Sequence, residues 1–101
     1  PNAVAQIKIQ EEMAAVEKLK EAIAKELGTY GKNEVKNAVE SGAADSILLI
    51  SEKTKEREGL ELLEMAQKNR TKVIEVSSHH HGGEMLIGLG GIAVILRYKL
   101  T

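Results

Sequence analysis

Between Ile7 and Leu27 the apolar residues Met13, Val16, Leu19, Ile23 and Leu27 recur every three or four positions, the period of an amphipathic helix. Glu21 and Lys25 form an i,i+4 pair on its polar side, and Gly28 supplies a stop. A second helix is predicted in GKNEVKNAVESG (31–42), where Val35, Ala38 and Val39 share a face and Gly42 ends it. SILLI (46–50) then breaks the helical period. Its four consecutive apolar residues, Ile47 to Ile50, read as a central strand covered on both faces. SEKTKERE (51–58) reads as a solvated loop.

A third helix is predicted from about Gly59 to Gln67, burying Leu60, Leu63 and Ala66. TKVIEV (71–76) is the next strand and EMLIGL (84–89) a short helix. IAVILRYKL (92–100) alternates, with Ile92, Val94, Leu96, Tyr98 and Leu100 on one face and Ala93, Ile95, Arg97 and Lys99 on the other. Helix and strand alternate throughout, which predicts an α/β chain: one domain over residues 1–101, built as a three-layer α/β/α sandwich around a mixed sheet.

Charge and composition narrow the function classes. Fourteen basic and fifteen acidic residues leave a net charge of −1, without the basic excess of a protein that grips phosphates. The chain has no cysteine, which removes disulfides, thiolate chemistry and Cys-ligated zinc. No apolar stretch approaches the roughly 18 residues of a membrane span, and PNAVAQIKIQEE lacks a signal-peptide pattern. A cytoplasmic location without membrane contact is expected. The start at Pro1, with no Met, is read as a processed or excised piece of something longer. Only two aromatic residues, Tyr30 and Tyr98, are on hand as hot-spot anchors.

The densest chemistry lies in SSHHHGGEMLIGLGGIAVILRY (77–98). GLGGIA (88–93) fits the dinucleotide fingerprint by letter, but that loop works only between a strand and a following helix. Here the predicted order is reversed, so Gly90 and Gly91 are read as turning the chain out of a helix into a strand. His79, His80 and His81, with Glu84 nearby, raise a metal site. Adjacent residues of an extended loop diverge, however, whereas paired ligands usually share a face. The triplet is therefore read as a solvated loop, and no metal is expected. Ser77 and Ser78 beside His79 give no nucleophile–base geometry from sequence adjacency, and no catalytic set is expected.

Two stretches together resemble a known family. TYGKNEVKNAVESGAADSILLISE (29–52) is similar to the Tyr-Gly, Val, Ala, Gly-Ala, Leu-Leu-Ile signature of the third domain shared by class-1 release factors and Pelota. The 77–98 stretch resembles that domain's closing signature: Ser-Ser, a His, Gly-Glu, Leu, then Gly-Gly-Ile-Ala ahead of Leu-Arg-Tyr. The short link after Ser51, where release factors carry an inserted minidomain, places the resemblance with the C-terminal (third) domain of archaeal Pelota. Tyr98-Lys99 departs from the Phe-Pro or Tyr-Pro that Pelota more often has there and is closer to release factors, so the third domain of a class-1 peptide chain release factor stays an alternative.

The resemblance implies a domain of a ribosome-rescue and mRNA-surveillance factor of no-go decay, which enters a stalled ribosome. Its implied partners are an elongation factor 1-alpha-type GTPase and the ribosome-recycling ABC-type ATPase. The implied contact residues are Tyr30, Gly31, His80, Glu84, Arg97 and Tyr98. The metal-dependent endoribonuclease activity credited to the family is assigned to an N-terminal domain outside this chain, so no enzyme and no cofactor are expected here.

An alternative comes from a different class. The same three-layer fold houses kink-turn RNA-binding ribosomal proteins, whose helix opens on a stretch similar to Gly31, Lys32, Asn33 and Glu34. Such side chains at a helix N-terminus can read exposed base edges. The structural reading of Asn33 and Glu34 is that they cap a helix.

Overall fold

The structure, a computed structural model, describes the backbone of residues 3–99 and the side chains of residues 8–99. In chain order it forms α1 (Ala3–Ala24), β1 (Gly28–Tyr30), α2 (Lys32–Glu40), β2 (Ala44–Ile50), a 3-10 turn (Ser51–Lys55), α3 (Arg57–Lys68), β3 (Lys72–Val76), α4 (His81–Gly88) and β4 (Ile92–Leu96). The four strands lie in the order β1-β4-β2-β3. β2 and β3 are parallel, and β4 runs antiparallel to both β1 and β2.

The consecutive apolar runs explain the layers. Along β2, Ile47 and Leu49 point to one face, where Val35, Ala38 and Val39 of α2 and Leu62 and Ala66 of α3 cover them. Leu48 and Ile50 point to the other, against Val16 and Leu19 of α1 and Leu86 of α4. β4 divides in the same way, Ile92, Val94 and Leu96 from Ala93 and Ile95. Both central strands are therefore buried on two sides, as their lack of polar alternation requires. The α/β/α sandwich with a mixed sheet is as expected. Among the described residues, no helix is long and apolar enough to cross a membrane.

Several local expectations are corrected. Gly28 does not stop α1; the helix ends four residues earlier, and Gly28 opens β1, whose register is Gly28↔Ile95 to Tyr30↔Ala93. A strand of three residues with one glycine carries too little pattern to be read from sequence. The residue that reverses the chain is Glu26, left-handed at φ 63, beside a Leu27 N–H that bonds back to the Ala22 carbonyl at 2.7 Å. α2 closes in the same way on Gly42, α3 on Arg70 and α4 on Gly90, each followed by an N–H bonded to the carbonyl five residues back.

In α3 the buried stripe is Gly59, Leu62 and Ala66, and Leu60 is 53% exposed. The reason is a close approach: a Cβ at Gly59 would lie 1.7 Å from the Lys53 carbonyl oxygen, so the helix packs glycine against the turn and rotates Leu60 outward. Residues 51–55 are a 3-10 turn held by Thr54 Oγ1 donating to the Ser51 carbonyl at 2.7 Å, and only the remainder of the charged stretch leads straight into α3. β4 ends at Leu96, so Arg97 and Tyr98 extend past the sheet. Leu100 lies outside the described residues.

In α1 the inward stripe is Glu12, Val16, Leu19 and Ala22, with Met13 turned partly to solvent. A carboxylate thus occupies a core position that the sequence pattern assigned to methionine.

Candidate functional site: the carboxyl end of the sheet

β1, β2 and β3 all run in one direction and β4 in the other. Four connections therefore meet at one end of the sheet: Tyr30 to Lys32, Ile50 to Lys55, Ser77 to His81, and Gly90 to Gly91. Backbone bonds tie them together, Gly31 N–H to Ile92 O at 3.0 Å and Ile50 N–H to Gly91 O at 2.9 Å. Ser51 Oγ adds a bond to the Val76 carbonyl at 3.3 Å. Open α/β sheets place their ligand sites at the carboxyl ends of strands, which makes this end the candidate.

The histidine triplet separates residue by residue. His79 is exposed, and its N–H donates to Ser77 Oγ at 3.2 Å. His81 opens α4 and faces solvent, 3.8 Å from the equally exposed Glu84. His80 turns inward, so the expectation of a solvated loop fails at its middle residue.

His80 is the N-cap of α4, and its Nδ1 accepts from the Gly83 N–H at 3.3 Å. That bond leaves the ring proton on Nε2, which meets Glu12 Oε1 at 2.8 Å. The Ser77 N–H donates to the same oxygen at 2.8 Å. With side chains 9% and 6% exposed, His80 and Glu12 fasten the β3–α4 turn to α1 across 68 residues of sequence. Gly83 completes the turn: a Cβ there would lie 1.9 Å from the Ser77 carbonyl oxygen.

The three imidazoles thus face different surroundings, and among the described residues no three His, Asp or Glu side chains converge to hold a metal ion. No serine meets an imidazole either. Ser78 Oγ donates to Glu52 Oε2 at 2.7 Å, and His80 is committed to Glu12 and Gly83. The Ser78 hydrogen bond holds the Glu52 carboxyl below its ordinary value, helped by its own backbone. GLGGIA has α4 before it and β4 after it, the reverse of a dinucleotide loop.

Two lysines at this end are paired locally: Lys53 with Glu56 at 3.2 Å, and both Lys53 and Lys32 with Glu58 at 3.9 Å. Gly31 is the N-cap of α2, which makes no side-chain cap bond; Asn33 and Glu34 do not cap it, and both are exposed in its first turn.

The six expected contact residues do not form one patch. Tyr30, 48% exposed, and Gly31 lie at the carboxyl end, as do His80 and Glu84. Arg97 and Tyr98 lie at the opposite end, beyond a strand about 16 Å long. There the Arg97 N–H donates to Ala43 O at 2.7 Å and its Nε to Ala44 O at 3.1 Å. Tyr98 Oη, mostly exposed, donates to Ser41 O at 3.4 Å. Glu12, the residue that orders the turn, was missed; its only sequence signal is a lone carboxylate at helical spacing from Val16 and Leu19.

Comparison with known proteins places this architecture. A family model described as eRF1 domain 3 matches residues 9–100. A protein pelota homolog of Pyrococcus horikoshii is 48% identical over 97 residues, covering 92% of this chain and 27% of the relative, so the chain spans about a quarter of that relative's length. Among solved structures, ribosome-bound archaeal Pelota, determined with ABCE1, superposes with a TM-score of 0.83 at 34% identity, over 95% of this chain and 28% of that one. Dom34 of S. cerevisiae superposes with a TM-score of 0.80 at 29% identity, over 90% of this chain and 28% of that one. It is described as a translation termination-like factor involved in RNA quality control pathways and interacting with Hbs1. With its closing Gly-Gly-Ile-Ala turn in place and the family model spanning nearly all of it, the chain belongs to the eRF1 domain 3 family, among its Pelota members.

Proposed function

We propose that this chain is the protein-docking third domain of a Pelota-like ribosome-rescue and mRNA-surveillance factor. It acts without chemistry or a cofactor of its own, in the cytoplasm. The observation that carries this reading is the 48% identity to a Pelota homologue over 97 residues. The partners follow from what its structural neighbours are described with: an elongation factor 1-alpha-type GTPase, as Dom34 interacts with Hbs1, and the ribosome-recycling ATPase, as ribosome-bound archaeal Pelota is described together with ABCE1. Tyr30 is the strongest anchor on chemical grounds, an exposed aromatic at the candidate end.

A calorimetric titration with the GTP-bound GTPase of the same cell tests this. Saturable one-to-one binding, insensitive to nuclease, is expected, with Tyr30→Ala weakening it by about 1–2 kcal/mol. Arg97→Ala reports on the opposite end by the same assay, with circular dichroism to check the fold. One observation favours a second reading, RNA binding: Asn33 and Glu34 are exposed and free of capping duties. Absence of GTPase binding together with salt-dependent capture of a kink-turn RNA would replace the docking reading with that one.

A further inference from the structure

Beside the His80 turn, the carboxyl end of the sheet carries a surface groove of about 450 Å³ lined by Ile50, Glu52, Ser78, Ile87, Gly90 and Gly91. Three observations define what it can hold. Its rim is apolar: Ile87 is half-exposed, and Gly90 and Gly91 bring no side chain to the floor. Its one cation is already engaged. The Lys53 stem lies against Gly91, and its ammonium is turned to Glu56 at 3.2 Å and Glu58 at 3.9 Å. Its anion is oriented and at the surface, since Ser78 Oγ donates to Glu52 Oε2 at 2.7 Å and the Glu52 side chain is exposed.

An apolar wall ending in a positioned carboxylate, with the lining Lys53 paired and only Lys55 and His79 near that carboxylate from outside the groove, complements a long side chain with an apolar stem and a cationic head. We propose that this groove receives an arginine side chain from a partner protein, with its guanidinium on Glu52 and its stem against Ile87. Arginine suits the site better than lysine because its planar, weakly hydrated guanidinium both stacks on apolar surface and forks onto a carboxylate. A nucleic acid is disfavoured by the same features, since phosphate would meet Glu52 and Glu56 with Lys53 already paired.

The test requires no knowledge of the partner and stands apart from GTPase docking. The isotope-labelled domain is titrated by NMR with Nα-acetyl-arginine methylamide. Saturable shifts are expected at the amides of Ser78, Ile87, Gly90 and Gly91, with a dissociation constant on the order of 10 mM. Glu52→Gln should weaken the binding about threefold. Ile87→Ser should weaken it independently, and both variants change exposed side chains, so the fold is retained. Shifts spread evenly over carboxylates around the surface, or a titration unchanged in Glu52→Gln, would overturn the proposal. So would an oligouridylate that moves the same four amides.

Discussion

Replacing Glu12 with alanine removes one oxygen that accepts two bonds, from the Ser77 N–H and from His80 Nε2. Each donor left unsatisfied in a buried setting costs about 1–3 kcal/mol. Glu12 also borders a surface groove with Lys8, Lys18 and Lys72, through which water can reach part of the site, so the lower half of the combined range applies. We expect Glu12→Ala to destabilise the chain by about 2–4 kcal/mol. For a domain of this size that corresponds to a fall in melting temperature of about 10 °C or more. Glu12→Gln is the discriminating variant. Both bonds go to Oε1, so a glutamine carbonyl can accept both, and the loss should stay within about 1 kcal/mol.

Urea denaturation followed by circular dichroism measures both variants. A double-mutant cycle with His80→Ala should give a coupling of about 1–2 kcal/mol, since the two residues share one bond. An alanine variant within about 0.5 kcal/mol of the parent would refute the assignment of this pair as a fastening. So would a glutamine variant as costly as the alanine one.

Other perturbations separate close packing from open space. Gly83→Ala and Gly59→Ala, whose Cβ atoms would fall 1.9 and 1.7 Å from carbonyl oxygens, should each cost about 3 kcal/mol or more by thermal melting. Gly88→Ala, with nothing nearby, should be neutral or gain up to about 1 kcal/mol. Leu62→Ala should cost about 2–5 kcal/mol, whereas Leu60→Ala stays within about 0.5 kcal/mol, reversing the order the sequence pattern implies. Arg70→Gly relieves a left-handed residue at the end of α3 and should stabilise by about 1 kcal/mol. Glu52 titrates low because Ser78 donates to its ionised form, so its contribution is present above the ordinary carboxylate value and is lost as pH falls through the lowered one. An NMR titration of the Glu52 carboxyl in Ser78→Ala should move back up toward the ordinary value.

Where one residue's chemistry dominated its position, the sequence was legible. Ile47 to Ile50 could only be a doubly covered strand, and Gly42 and Gly90 sit at left-handed helix ends as glycines do. Legibility failed where a backbone contact set the register. Glycine at position 59 carries no hydrophobic signal, yet its approach to the Lys53 carbonyl decides which leucine of α3 is buried. Likewise, Glu26 and Arg70 do at two helix ends what glycine does at the others, and nothing in their residue type marks it. At the candidate site the resemblance pointed to Tyr30, Gly31 and the histidine turn, all at one end of the sheet. It could not show that Arg97 lies at the other end, because that depends on the direction of β4. His80 was expected as a contact residue in a solvated loop, but the side chain turns inward to a partner 68 residues away, beyond the reach of local pattern.

The strand order has a consequence for how the chain is made. β4 lies between β1 and β2, so Gly28 finds its partner only in Ile95, and Leu48 one of its neighbours only in Ala93. Until residues 92–96 leave the ribosome, the nascent sheet is split into an isolated three-residue strand and a parallel pair whose β2 edge is uncovered. Pairings this distant in sequence slow folding, because the loop must close before its contacts stabilise it. The sheet therefore closes only when its last strand in sequence arrives. A released chain truncated just short of Ile92 would present the uncovered edge of β2 to chaperones and proteases, and one that includes Leu96 would not.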